Sequence, residues 1–179
     1  IEYLVNSIKQ DIEENELRPE DIMIIHPNAL TARDKFGLAR YKLYEEGINS
    51  NLAGVTISPD DFSQDDSVTF TSIFRAKGNE APMVYVINAD YCAQGMGLAT
   101  KRNILFTAMT RTKAWLRVLG VGPSMQILED EFQEVKRNDF SLSFVYPTEE
   151  QRQHLRIAFI NQFKRFCSFR IKINFSSFP

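Results

Sequence analysis

The sequence is poor in the residues that build metal sites and disulfide frameworks. Its 179 residues hold two cysteines, Cys92 and Cys167, and two histidines, His26 and His154, with no ligand-like spacing among them. That argues against a zinc site and a disulfide scaffold, and fits a reducing cytoplasm. No apolar run reaches the roughly 18 residues needed to span a bilayer, so no membrane partner is expected. The opening IEYLVNSIKQDIEENE carries acids and amides throughout, unlike a secretory leader. The chain starts at Ile1 rather than Met, which suggests a piece of something longer. What is present is the mix of a globular protein, 44% hydrophobic and 25% charged. The net charge of −2 is unevenly spread: residues 1–70 hold 6 basic and 14 acidic side chains, residues 71–138 hold 9 and 6, and residues 139–179 hold 6 and 3. A polyanion would favour the second half.

Periodicity predicts an α/β order. Ile1, Leu4, Val5, Ile8 and Ile12 recur at helical steps over residues 1–16. After a break at Pro19, residues 22–26 (IMIIH) form a continuous apolar run, the mark of a strand buried on both faces. Pro27-Asn28 is a turn, and residues 29–47 read as a helix ended by Gly47. Strands are expected at 51–57, 68–74 (VTFTSIF), 83–88 (MVYVIN) and 115–121 (WLRVLGV), with an edge strand at 140–146. Helices are expected at 101–112, 123–136 and 148–166, and the last ten residues carry no clear pattern. Active sites in such sheets sit at the carboxyl ends of the strands, so the loops after Phe74, Asn88 and Val121 take priority.

Two segments carry chemistry. In TSIFRAKGNE, residues 71–80, Gly78 allows positive φ and leaves room for a phosphate to approach the backbone. Arg75 and Lys77 supply positive charge, and the Glu80 carboxylate can accept from a ribose hydroxyl. In RNILFTAMTRTKAWLR, residues 102–117, Ile104, Leu105, Ala108 and Met109 make the apolar side of a helix that ends at Arg111 before a strand. An arginine held between rigid elements suits placement of a guanidinium against a phosphoryl group. Taken singly, the first segment is also an ordinary Lys-Gly turn, and the second an arginine favoured by the helix dipole.

Together, Phe74-Arg75-Ala76-Lys77-Gly78-Asn79-Glu80 and Ala108-Met109-Thr110-Arg111-Thr112 resemble motifs V and VI of the UvrD/Rep-like superfamily 1 helicases. The strand–helix unit over residues 21–47 resembles the family's unit before motif V, so the resemblance covers about residues 20–121. It implies an α/β, RecA-like (P-loop NTPase type) three-layer fold with a mostly parallel central sheet. Residues 1–147 would be the second RecA-like domain, and 148–179 a terminal helix and tail. It implies an ATP-dependent DNA helicase or translocase in which Arg111 is the arginine finger. Gly78, Glu80 and Lys77 would bind ATP, and Thr71, Ser72, Phe74 and Arg75 would touch single-stranded DNA, with RNA as the alternative. Two residues depart from the family pattern: Phe74 stands where histidine is usual, and Asn79 where an apolar residue is. The sequence has no Gly-x-x-x-x-Gly-Lys-Ser/Thr loop. It also has no Asp-Glu pair after a buried strand; Asp65-Asp66 precede theirs. The chain is therefore expected to hold half of a site, with ATP and Mg2+ carried mainly by an N-terminal RecA-like domain of the same full-length protein. The alternative is a non-catalytic nucleic-acid-binding or scaffold domain with a degenerate helicase fold.

Other residues read more plainly. Trp115 is expected to pack in the core or at its rim, and His26 to be a satisfied core or loop histidine. Phe159, Phe163 and Phe166 would dock a last helix, and the two cysteines would be ordinary thiols.

Overall fold

The computed structural model describes residues 1–58, 60–139, 148–151 and 153. The chain forms two compact units, Ile1–Lys136 and Arg137–Pro179. The strand expected over 140–146, most of the helix over 148–166, Cys167 and the tail lie outside the described residues.

The first unit contains strands β1 (Ile22–His26), β2 (Ser50–Leu52), β3 (Val68–Ser72), β4 (Ala81–Val86) and β5 (Thr112–Val118). Its helices are α1 (Glu2–Glu13), α2 (Ala32–Glu45), the single turn α3 (Ile73–Ala76), α4 (Leu98–Met109) and α5 (Ser124–Arg137). The strands make one sheet in the order β2-β3-β1-β4-β5, and every neighbouring pair is parallel. Alternate strand residues feed two cores. Ile22, Ile24, Phe70, Met83 and Tyr85 pack with Leu4, Ile8, Phe36 and Leu43 of α1 and α2. Met23, Ile25, Val84 and Val86 pack with Ile73, Leu105, Ala108 and Leu128 of α3, α4 and α5. Burial on both faces is why IMIIH reads as an unbroken apolar run. The result is the expected three-layer α/β fold. Among the described residues, no helix is long and apolar enough to cross a membrane.

The element bounds differ from expectation in ways that have physical causes. β3 stops at Ser72, two residues before the expected end. β1 lies between β3 and β4, so the chain must cross it and return to the start of β4 by residue 81. One helical turn achieves this, burying Ile73 and Ala76 while leaving Phe74 72% exposed. α4 starts three residues early, at Leu98, behind Gly97 with φ 71°. β5 runs over 112–118 rather than 115–121, and on this sheet edge Trp115 is 57% exposed. Of the two positions expected for Trp115, core or rim, the core is therefore excluded.

One buried cluster ties the first helix to the far side of the sheet. Asp11, 2% exposed, follows Leu4 and Ile8 on the inner stripe of α1. The Tyr85 hydroxyl donates to Asp11 Oδ2 at 2.5 Å, and Arg117 donates to Tyr85 Oη at 2.9 Å and to Asp11 Oδ1 at 2.8 Å. Burial and the Asp11 carboxylate push the Tyr85 phenol well above its usual range.

His26 closes β1 and is also buried. Its Nδ1 accepts the N–H of Asn28 at 3.0 Å, which leaves the proton on Nε2, a buried atom without a partner. Burial lowers its pKa below 6.5; Lys35 lowers it further, and Asp90 opposes both. The core position was expected, but full hydrogen-bond satisfaction was not achieved. The folded state therefore resists protonation that the unfolded chain accepts, and stability should fall as pH drops below the unfolded value of 6.5. Urea midpoints should decline between pH 7 and about 5.5. His26→Asn keeps an acceptor for the Asn28 N–H and should flatten that decline. An unchanged pH profile in the variant would assign the acid sensitivity elsewhere.

Candidate functional site

The two motif segments meet through the backbone. Glu80 precedes β4 and Arg111 precedes β5, and the Ala81 N–H donates to the Arg111 carbonyl at 3.0 Å. Ala81 pairs in register with Thr112, the first residue of β5. Lys77–Glu80 and Arg111 thus lie at the amino ends of β4 and β5. Phe74 and Arg75 instead follow the carboxyl end of β3. The expectation that all the chemistry gathers at carboxyl ends is corrected, because the short crossover carries one motif from one end of the sheet to the other.

At the amino ends, Lys77, Gly78 and Glu80 are exposed and Arg111 is half-buried. Gly78 has φ +89°, and a Cβ there would meet nothing within 4 Å. The glycine is fixed by its backbone conformation and keeps the turn low and open. Arg111 folds back on its own helix: Nε donates to the Thr107 carbonyl and Nη2 to Thr110 Oγ1, both at 3.2 Å. The Thr110 hydroxyl in turn donates to the Thr107 carbonyl at 3.0 Å. These contacts use two of five guanidinium N–H donors and restrict the side chain to the end of α4. An open glycine turn, an ammonium, a carboxylate and a guanidinium at the amino ends of two neighbouring strands are chemically suited to phosphates and a ribose. Among the described residues, no group of three or more His, Cys, Asp or Glu is arranged for a metal ion.

At the carboxyl end of β3, Ser72 is half-buried, Phe74 and Arg75 are exposed, and Thr71 is 1% exposed. Thr71 turns its hydroxyl to the Ser72 carbonyl at 3.2 Å. In this domain its side chain supports the strand end rather than facing solvent. Phe74 offers its ring to solvent. The Asn79 amide donates to the Arg75 carbonyl at 3.4 Å, so this departure from the family pattern closes the turn between the two half-sites. Cys92 is buried, and burial pushes its thiol up to about 11, as suits an inert core thiol.

Residues 67–119, which contain both motif segments, match the model of the UvrD-like helicase C-terminal domain. Over this segment the chain is similar to the UvrD-like helicase C-terminal domain. A solved structure, the C-terminal domain of a "possible DNA helicase" from Lactobacillus plantarum WCFS1, is similar at 21% identity. The match covers 69% of this chain and 70% of that one, with a TM-score of 0.49. No curated protein matches the chain. The UvrD-like segment takes in β3, α3, β4, α4 and β5, so it includes the crossover and both of its ends.

Sequence reading missed two features. Asp11 on the apolar stripe of α1 was a visible signal of a buried partner. The contact of Arg75 with the turn after β2, described below, left no such trace.

Proposed function

We propose that this domain is the C-terminal motor half of a cytoplasmic, ATP-dependent DNA helicase or translocase, supplying an arginine finger and part of the single-strand track. The observation that carries it is the pairing of Ala81 with Arg111 and Thr112 at one end of a crossover whose other end exposes Phe74 and Arg75. ATP, when bound between this domain and its N-terminal partner, supplies the phosphoryl group that is transferred to water. Gly78 and Lys77 would lie against its phosphates and Glu80 against its ribose. Arg111, released from Thr107 and Thr110, would stabilise charge on the transferring group. Magnesium would be held mainly by the partner domain. A shift at residues 77–80 passes through one helical turn to Phe74 and Arg75, which would stack on a base and pair with a phosphate.

Salt titration of single-strand binding by the full-length protein tests the track. Phe74→Ala should cost about 1–3 kcal/mol, one base stack, with little loss of stability because the ring is exposed. Arg75→Ala should lower the salt slope by about 0.7, one phosphate contact on a single strand. Unchanged affinity in the first and an unchanged slope in the second would place the track elsewhere. Phe74 and Asn79 also motivate the second reading, a domain that keeps the fold without motor activity. A phosphate-binding lysine loop in the N-terminal partner favours the motor, and its absence favours the scaffold.

A further inference from the structure

The turn after β2 is built around Leu52. The Val55 and Thr56 N–H groups donate to the Leu52 carbonyl at 2.9 and 3.1 Å, and the Leu52 N–H donates to Thr56 Oγ1 at 2.7 Å. The Ala53 N–H donates to the Phe70 carbonyl at 3.0 Å, which fixes the turn to β3. Gly54 sits within it at φ +65°, and a Cβ added there would lie 2.1 Å from Arg75 Cζ, 2.2 Å from Nη2 and 2.5 Å from Nε. The guanidinium therefore occupies the space that any other residue at 54 would fill. Gly47 makes an internal control: its φ is +76°, but a Cβ there meets nothing within 4 Å. Gly47 is required by its backbone alone, whereas Gly54 also leaves room for a cation.

We infer that Gly54 is a positioning residue for single-strand binding, leaving the space that the Arg75 guanidinium occupies against the turn after β2. This rests on the proposed track. The neighbour that a new Cβ would meet is the far end of a flexible side chain. Gly54→Ala therefore displaces the charge more than it disturbs the core.

The test uses the full-length protein and a fluorescent oligothymidine. Gly54→Ala and Gly47→Ala should lower the melting temperature by similar amounts, since both force a side chain into the left-handed region. Only Gly54→Ala should lower the salt slope of binding by about 0.7, so that its affinity deficit changes about fivefold over a tenfold range of salt. Adding Gly54→Ala to Arg75→Ala should not change the slope further. If Arg75→Ala lowers the slope and Gly54→Ala does not, the inference fails and the track stands. If Arg75→Ala leaves the slope unchanged, the track itself fails and takes the inference with it. Should Gly54→Ala alone not fold, the Gly54→Ala/Arg75→Ala pair decides. With the guanidinium gone, the pair should melt with Gly47→Ala, and a pair that also fails to fold overturns the inference.

Discussion

Arg111→Ala in the full-length protein should lower DNA-stimulated ATP turnover by roughly 10³-fold or more, while single-strand affinity stays within about twofold. Arginine fingers contribute about 10³–10⁵ in rate, and a thousandfold loss corresponds to about 4 kcal/mol of transition-state stabilisation. The guanidinium is tethered to Thr107 and Thr110 at the end of α4, whereas the proposed track residues Phe74 and Arg75 belong to α3, so nucleic-acid binding should be spared. Its contacts with Thr107 and Thr110 concern one turn of an exposed helix end, so the fold is spared too. Arg111→Lys should recover little, because an ammonium lacks the planar fork. Near wild-type turnover in Arg111→Ala would leave the residue with its helix-end role alone.

Asp11→Ala should be the most destabilising single change in the domain away from the apolar core, costing about 3–5 kcal/mol in urea unfolding. The carboxylate is 2% exposed and accepts from Tyr85 and Arg117. Removing it strands a half-buried guanidinium and a buried phenol together. Asp11→Asn keeps one acceptor of similar shape and should cost less. Tyr85→Phe removes the phenol but leaves the Arg117–Asp11 pair at 2.8 Å, so it should also cost less. A loss under about 1 kcal/mol for Asp11→Ala would show that water reaches the cluster and replaces the bond.

These expectations show how much of the molecule was legible in its residues. IMIIH and MVYVI announced buried parallel strands because burial on two faces requires an unbroken apolar run. The Phe74–Glu80 and Ala108–Thr112 strings announced the candidate site because backbone freedom at Gly78 and a guanidinium at a helix end leave fixed residue types. Sheet order was not legible, since residue patterning does not say that β1 lies between β3 and β4. That order ends β3 at Ser72, turns Phe74 outward and moves Lys77–Glu80 to the amino end of β4. Thr71 is assigned to nucleic acid through the resemblance alone, and patterning does not place its side chain, because β-branched residues in a strand read alike whether they face the core or a ligand. The Gly54–Arg75 contact joins residues 21 positions apart, and only the pairing of β2 with β3 brings them together.

The most direct test of a half-site is a calorimetric titration of ATP and magnesium into the 179-residue chain alone. With Lys77, Gly78, Glu80 and Arg111 as its only contributions, the chain should bind ATP no more tightly than the millimolar range, on the order of 4 kcal/mol, and should not hydrolyse it. Micromolar binding by this chain would mean that it holds a complete nucleotide site, and would contradict the account.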